Sequence, residues 1–256
     1  MKKCKRKLRA NSSGQLLIVA ALVIAIIISS TTIYVYELSK ETNSTESRSI
    51  NDVILALKQT TKNTIISSLA NISKSGEKAI LEANLNELSQ AFANLHQLGM
   101  CHLSFTLIND SQYDSGVRLS WNTDGSGVSS AYANFTLKVQ SMAANLAIDY
   151  AVNITTAIAI NGSYTTLEGE EKLVNLTCQV FNEEKPALAK NITLFYENLG
   201  SWTPVNSSNN LSIVDYGNGT YFLSFTVSTF SPVQVSTHVY DLRDIFVQAN
   251  MTCYEA

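Results

Sequence analysis

Within Leu173-Val174-Asn175-Leu176-Thr177-Cys178-Gln179-Val180-Phe181, apolar and polar residues alternate through the seven positions from Val174 to Val180. Phe222-Leu223-Ser224-Phe225-Thr226-Val227, after Asp215-Tyr216-Gly217-Asn218-Gly219-Thr220-Tyr221, alternates from Leu223 to Val227. A period of two places successive side chains on opposite faces, so each run reads as a half-buried strand. Between them lie a loop at Asn182–Pro186 and strand-like runs at Asn191–Tyr196, Ser201–Val205 and Leu211–Val214. Val233–Tyr240 and Ile245–Cys253 supply closing strands, joined by a turn at Asp241-Leu242-Arg243-Asp244. Residues 161–256 therefore read as one antiparallel sandwich.

Upstream, the same period marks His102–Leu107, Gly116–Trp121 and Ala133–Val139, with a turn at Asp124-Gly125-Ser126-Gly127. Asn145–Ile160 is rich in Ala, Val, Ile and Thr and reads as a further strand, with a helix as the alternative. This defines a β-rich region over 101–160. Over 50–100 the period changes. Ile50, Val53, Ile54 and Leu57, then Ile65, Leu69 and Ile72, then Ile80, Leu81, Leu85, Leu88, Phe92, Leu95 and Leu98 recur in steps of three and four. That spacing predicts two amphipathic helices, 50–72 and 76–98, capped by Ser75 and closed by Gly99. Their stripe needs a partner, which is the other helix, the β region beyond or neighbouring copies, with an intramolecular partner as the default. Residues 39–49 hold no apolar side chain and read as a polar tether.

The N-terminal end reads as a membrane anchor. Lys2, Lys3, Lys5, Arg6, Lys7 and Arg9 precede an uncharged run from Ala10 to Tyr36. A bilayer core is spanned by about 20 helical residues, which 15–38 supplies. The basic leader, 1–14, is expected in the cytoplasm and the rest outside. A cleaved secretory signal is the alternative. The fold class expected is thus α+β: an N-terminal transmembrane helix, an amphipathic helical region, then an antiparallel β region ending in a sandwich.

Two resemblances add to this. The basic residues, Gly14-Gln15 and the apolar run resemble the class III signal peptide of archaeal type IV pilins, which implies cleavage between Gly14 and Gln15. Val19 stands where many pilins carry a Glu that registers filament subunits. Residues 163–230, with Gly217-Asn218-Gly219-Thr220-Tyr221, resemble the immunoglobulin-like domains of prokaryotic surface proteins. That resemblance implies that Tyr221 packs at a sheet corner. Leu223 stands where antibody domains carry a cysteine.

Composition narrows the function classes. After Tyr36 come 12 of the 18 cations and all 21 acids. This balance disfavours nucleic acid, whose binding leans on Lys and Arg. Asn-x-Ser/Thr triplets start at Asn43, Asn71, Asn109, Asn134, Asn153, Asn161, Asn175, Asn191, Asn206, Asn210, Asn218 and Asn250, and at Asn11 in the leader. Chance predicts roughly five, so these are candidate glycan acceptors. Cys101, Cys178 and Cys253 are odd in number. Cys178 with Cys253 is the favoured disulfide, and Cys101 with either is the alternative. His96, His102 and His238 have no metal-ligand spacing. Asn122–Gly127 has Ala133 where a calcium loop needs Glu. Glu168-Gly169-Glu170-Glu171 reads as a solvated loop rather than an acid/base pair.

No catalytic, cofactor or metal site is therefore assigned, and no enzyme activity. The expectation is a single-pass, membrane-anchored extracytoplasmic protein with a structural or adhesive role. Its expected partners are membrane lipid, other pilin-like or surface-layer proteins, or glycans. The alternatives are a minor pilin-like subunit cleaved after Gly14 and an anchored extracytoplasmic enzyme or sensor.

Overall fold

The structure is a computed structural model that describes residues 28–29, 31–33, 52, 54–94, 100–140, 145–167, 170–229 and 232–256. The chain divides into two compact units, Met1–Ala56 and Leu57–Ala256. In the first, the described residues are helical, and the hydroxyls of Thr31 and Thr32 donate to the Ile28 carbonyl at 2.9 and 2.8 Å.

Two expectations are corrected here. Most of the stretch expected to span a membrane, 15–38, lies outside the described residues, as do Gly14 and Gln15. Among the described residues no helix is long and apolar enough to cross a membrane. The single-pass anchor, and the membrane location built on it, are therefore not supported. Length and hydropathy nominate a span from side chains alone, whereas crossing lipid also requires every backbone group to be paired, as in a helix or a closed barrel. The fold class is also corrected. The second unit is mostly β rather than α+β, with a single 12-stranded mixed network and two helices beside it.

Helix α1 occupies 57–72 of this unit and α2 is Ala79–Ala93. Between them Ser75 adopts φ 84° and the Gly76 N–H donates to the Asn71 carbonyl at 3.1 Å, which ends α1. Ser75 therefore closes the first helix instead of capping the second. The position before α2 is Lys78, with no side-chain cap. The apolar stripe is buried at Ile65, Leu69, Ile72, Leu81, Leu85 and Phe92. Helix α2 lies on β1 (Met100–Leu107), which pairs with β3 (Ser126–Gln140), and α1 meets Tyr150 in the first half of β4 (Asn145–Thr166). Across that interface Thr61 Oγ1 and Tyr150 Oη lie 3.2 Å apart, and Ser89 Oγ donates to the Leu103 carbonyl. Full burial of each large apolar side chain stabilises by about 1.5–3 kcal/mol, so the intramolecular sheet is the partner that the stripe required.

The rest of the unit comprises β2 (Val117–Trp121), β5 (Glu171–Asn182), β6 (Lys185–Pro186), β7 (Ala189–Asn198), β8 (Ser201–Pro204), β9 (Ser212–Asp215), β10 (Thr220–Ser228), β11 (Val233–Asp241) and β12 (Phe246–Glu255). The strand order is β8-β7-β11-β12-β4-β5-β10-β9. Neighbours are antiparallel except β12 and β4, which run parallel through Tyr254 opposite Ser163 and Glu255 opposite Tyr164. One core is shared by both ends of this order. Leu176, Cys178, Leu223 and Phe225 come from one half, and Leu194, Val235, Val247 and Cys253 from the other. The strand β4 is 22 residues long, so the domain boundary expected at 160/161 falls inside it.

The β2–β3 turn is driven into the gap between β4 and β12. The Gly125 N–H donates to the Asn250 carbonyl at 2.9 Å, the Ile160 N–H to the Gly125 carbonyl at 2.7 Å, and the Asn250 N–H to the Asn122 carbonyl at 2.9 Å. Gly125 has φ +86°, a left-handed conformation that favours glycine. A Cβ on Gly127 would lie 2.0 Å from the Gln248 carbonyl oxygen. Gly127→Ala should therefore destabilise by about 2–4 kcal/mol in urea unfolding, whereas Gly200→Ala, which meets nothing within 4 Å, should cost about 1 kcal/mol for its positive φ. Equal costs would show that the turn does not dock.

Candidate functional site

The sequence-derived candidates scatter over the surface rather than converge. Asn43 lies outside the described residues. Asn71, Asn109, Asn134, Asn153, Asn161, Asn191, Asn206, Asn210 and Asn218 are exposed, and Asn175 and Asn250 are half-buried. Several side chains shape their own backbone. Asn206 Oδ1 accepts from the Ser208 N–H at 2.9 Å, and Asn218 Oδ1 from the Thr220 N–H at 3.0 Å. Asn153 Oδ1 accepts from Ser130 Oγ at 3.0 Å.

Cys101, Cys178 and Cys253 are buried free thiols, so the disulfide expected between Cys178 and Cys253 is not formed. Burial raises all three thiols, pushing Cys178 and Cys253 up to about 12. Apolar surroundings penalise the thiolate, and both side chains serve as small hydrophobes in the shared core.

Tyr221 sits at the start of β10, 4% exposed. Its hydroxyl accepts from the Ala189 N–H at 2.8 Å, at the first residue of β7. It thus ties strands from opposite halves of the core through a partner 32 positions upstream.

His238 packs between Phe195 and Phe246, with ring centroids 4.6 and 5.3 Å away, and burial lowers its pKa. His96, Glu168 and Gly169 lie outside the described residues. Asp124 is held below the ordinary carboxylate range by Ser126, whose hydroxyl and N–H both donate to Oδ1. Among the described residues no group of three or more His, Cys, Asp or Glu is arranged to hold a metal ion.

A cluster that the sequence did not reveal surrounds the β11–β12 turn. Asp241 is fully buried. Its Oδ1 accepts from the N–H groups of Arg243 and Ile245 at 2.8 and 2.9 Å. Its Oδ2 accepts from Thr156 Oγ1 at 2.9 Å and Arg243 Nε at 2.8 Å. The other arms of Arg243 reach Glu183 at 2.7 Å and the Thr155 carbonyl at 3.1 Å. Burial works against the guanidinium charge, but the hydrogen bonds to Glu183 and Asp241 outweigh it and its pKa is raised. The cluster is internally satisfied. It locks β4, the β5–β6 turn and the β11–β12 turn together, with both carboxylate oxygens of Asp241 used in doing so.

Free polar groups line the outer side of β4, β5, β10 and β9. Cross-strand register sets it in rows. Ala159, Gln179 and Thr220 form one, Asn161, Thr177, Phe222 and Val214 the next, and Ser163, Asn175, Ser224 and Ser212 a third. The triplets Asn161-Gly162-Ser163 and Asn175-Leu176-Thr177 therefore run antiparallel in direct opposition. Between β4 and β5 lies a hollow of about 550 Å³. Gly162 permits the close approach that shapes it, because a Cβ there would lie 2.3 Å from the Asn175 carbonyl oxygen. The triplets were legible in sequence, but their juxtaposition depends on strand register.

Comparison with known proteins finds no matching family model, no matching curated protein and no matching solved structure.

Two outcomes follow from this geometry. In native buffer at pH 8, iodoacetamide should leave Cys178 and Cys253 unlabelled, and in denaturant without reductant it should label both; a protected pair in denaturant would show that they are bonded after all. Asp241→Ala should cost about 3–5 kcal/mol in chemical unfolding because it strands a buried partner. Glu183→Gln, at a more exposed pair, should cost under about 1 kcal/mol. A small loss at Asp241 would remove the locking role assigned to it.

Proposed function

We propose that this chain is a non-catalytic binding module with an adhesive or structural role, built on an immunoglobulin-like sandwich. The strand order carries the reading. Named A to G from β4, with β6 omitted, β4-β5-β10-β9 corresponds to A-B-E-D and β7-β11-β12 to C-F-G, with β8 as an added edge strand. That is the order of immunoglobulin sandwiches, in which end loops and sheet faces do the binding. It also supports the resemblance that residues 163–230 suggested. Tyr221 then falls on strand E rather than F, so its bond to Ala189 is a cross-core tie that differs from the usual tyrosine corner.

Two further observations fit a binding role. The charged cluster around Asp241 and Arg243 is consumed internally, and the exposed polar surface is dominated by amides and hydroxyls. In the β1–β3 extension and its helices, the buried hydroxyls of Thr61, Ser68 and Ser73 are taken up by Tyr150, Asn84 and the Phe246 N–H.

The experiment is bead adhesion. Full-length protein coupled to beads should make them cluster, or be retained on envelope material from its host, in a manner lost after heat unfolding. Absence of both effects, together with turnover of a generic ester, glycoside, phosphate or peptide substrate by the folded protein alone, would replace the reading with an enzymatic one.

A further inference from the structure

We infer that the outer face of β4, β5 and β10 binds a neutral saccharide, a specification that rests on the binding role proposed above. First, the face is uncharged. None of the residues in its three cross-strand rows is Asp, Glu, Lys or Arg. Charged residues make up 15% of this chain and concentrate on surfaces. A sheet face of this extent without one is suited to a ligand that carries no charge.

Second, the hydrogen-bonding groups are unspent. Among the described residues, the side chains of Asn161, Ser163, Asn175, Thr177 and Gln179 have no hydrogen-bond partner, whereas the polar groups around Asp241 and around Ser130 are tied to one another. Amides offer two donors and two acceptor lone pairs, and hydroxyls offer both roles. This mixture suits the vicinal hydroxyls of a sugar ring, which donate and accept at adjacent positions.

Third, the rows provide an apolar platform. Phe222 is half-buried on the outer face, directly opposite Thr177 on one side and Val214 on the other. The C–H face of a pyranose can cover such a ring while its hydroxyls reach the amides beside it. The hollow between β4 and β5, about 550 Å³, is large enough for one or two sugar residues.

The saccharide is a partner's glycan; the chain's own sugar, for which Asn161 and Asn175 each begin an acceptor triplet on this face, is the other outcome that the test separates. The test is native affinity electrophoresis of the full chain, made in a host without N-glycosylation, in gels containing a mannan, a β-glucan or a galactan, with alginate as the anionic control. We expect retardation in at least one neutral gel and none in alginate. Gln179→Ala and Phe222→Ala should each weaken it about five- to tenfold, as expected for losing one or two good contacts. Gln179 is exposed, so its variant keeps the fold whatever Phe222→Ala does. Lys138→Ala, an exposed position on β3, should change nothing.

Protein from its own host separates the two sources. Retardation of both forms assigns a partner's glycan. Retardation of the unglycosylated form alone assigns the chain's own sugar, already seated. No retardation in any neutral gel, or retardation unaffected by both face variants, overturns the inference. If beads still adhere in that case, the binding module stands and only its saccharide ligand is lost.

Discussion

Strand β4 serves two pairings at once, and the rest of the second unit is organised around that fact. Residues 145–159 pair with β3, and 156–166 pair with β5. Its far end also takes the parallel contact with β12. A one-residue slip would turn every inward side chain outward on both partners, so the two registers fix each other. Tyr150 in the first half meets α1 and stacks on Phe135, whereas Ile158, Ile160 and Tyr164 in the second half enter the sandwich core. One continuous backbone thereby joins the helix-covered sheet to the sandwich, with no linker between them.

Two devices brace that junction. The β2–β3 turn docks its backbone against β4 and β12, possible only because Gly125 and Gly127 lack side chains. The buried Asp241 carboxylate and the Arg243 guanidinium clamp the other side, with Thr156 of β4 as their shared partner. A buried pair of this kind gains little over apolar packing, but it is costly to break and specifies one arrangement. Its polar atoms are spent on architecture. The outer face of β4, β5 and β10 differs because its amides and hydroxyls have no internal partner, and that contrast is what directs attention to it as a surface for recognition.

The strands were largely legible, because alternation is a local property of a half-buried sheet. Leu173–Phe181, Asn191–Tyr196 and Val233–Tyr240 each fall within an observed strand. The helical stripe was legible for the same reason, through Ile65, Leu69, Ile72, Leu81, Leu85 and Phe92. Local signals failed where the outcome depends on residues far apart. Ser75 read as an N-cap because serine favours that position, but the backbone turns left-handed there to close α1. Asp241 read as part of a hairpin turn, and nothing nearby revealed that Thr156, 85 positions away, would bury it. The thiols of Cys178 and Cys253 were paired by location in strands, yet sharing a core does not place two sulfurs within bonding distance. Over 15–38, hydropathy and length nominated a span, but most of that stretch lies outside the described residues, among which no helix is long and apolar enough to cross a membrane.

By itself, the order of apolar and polar side chains determined where strands and helices form, which faces turn inward, and that the surface is rich in acceptor triplets. These follow from backbone periodicity and need no distant contact. Tertiary structure alone decided that β12 closes on β4, that two acceptor triplets face each other across β4 and β5, and that the ion pair is buried while the amide face stays free. Those outcomes rest on register and packing between segments many positions apart, where only the folded chain decides which atoms meet.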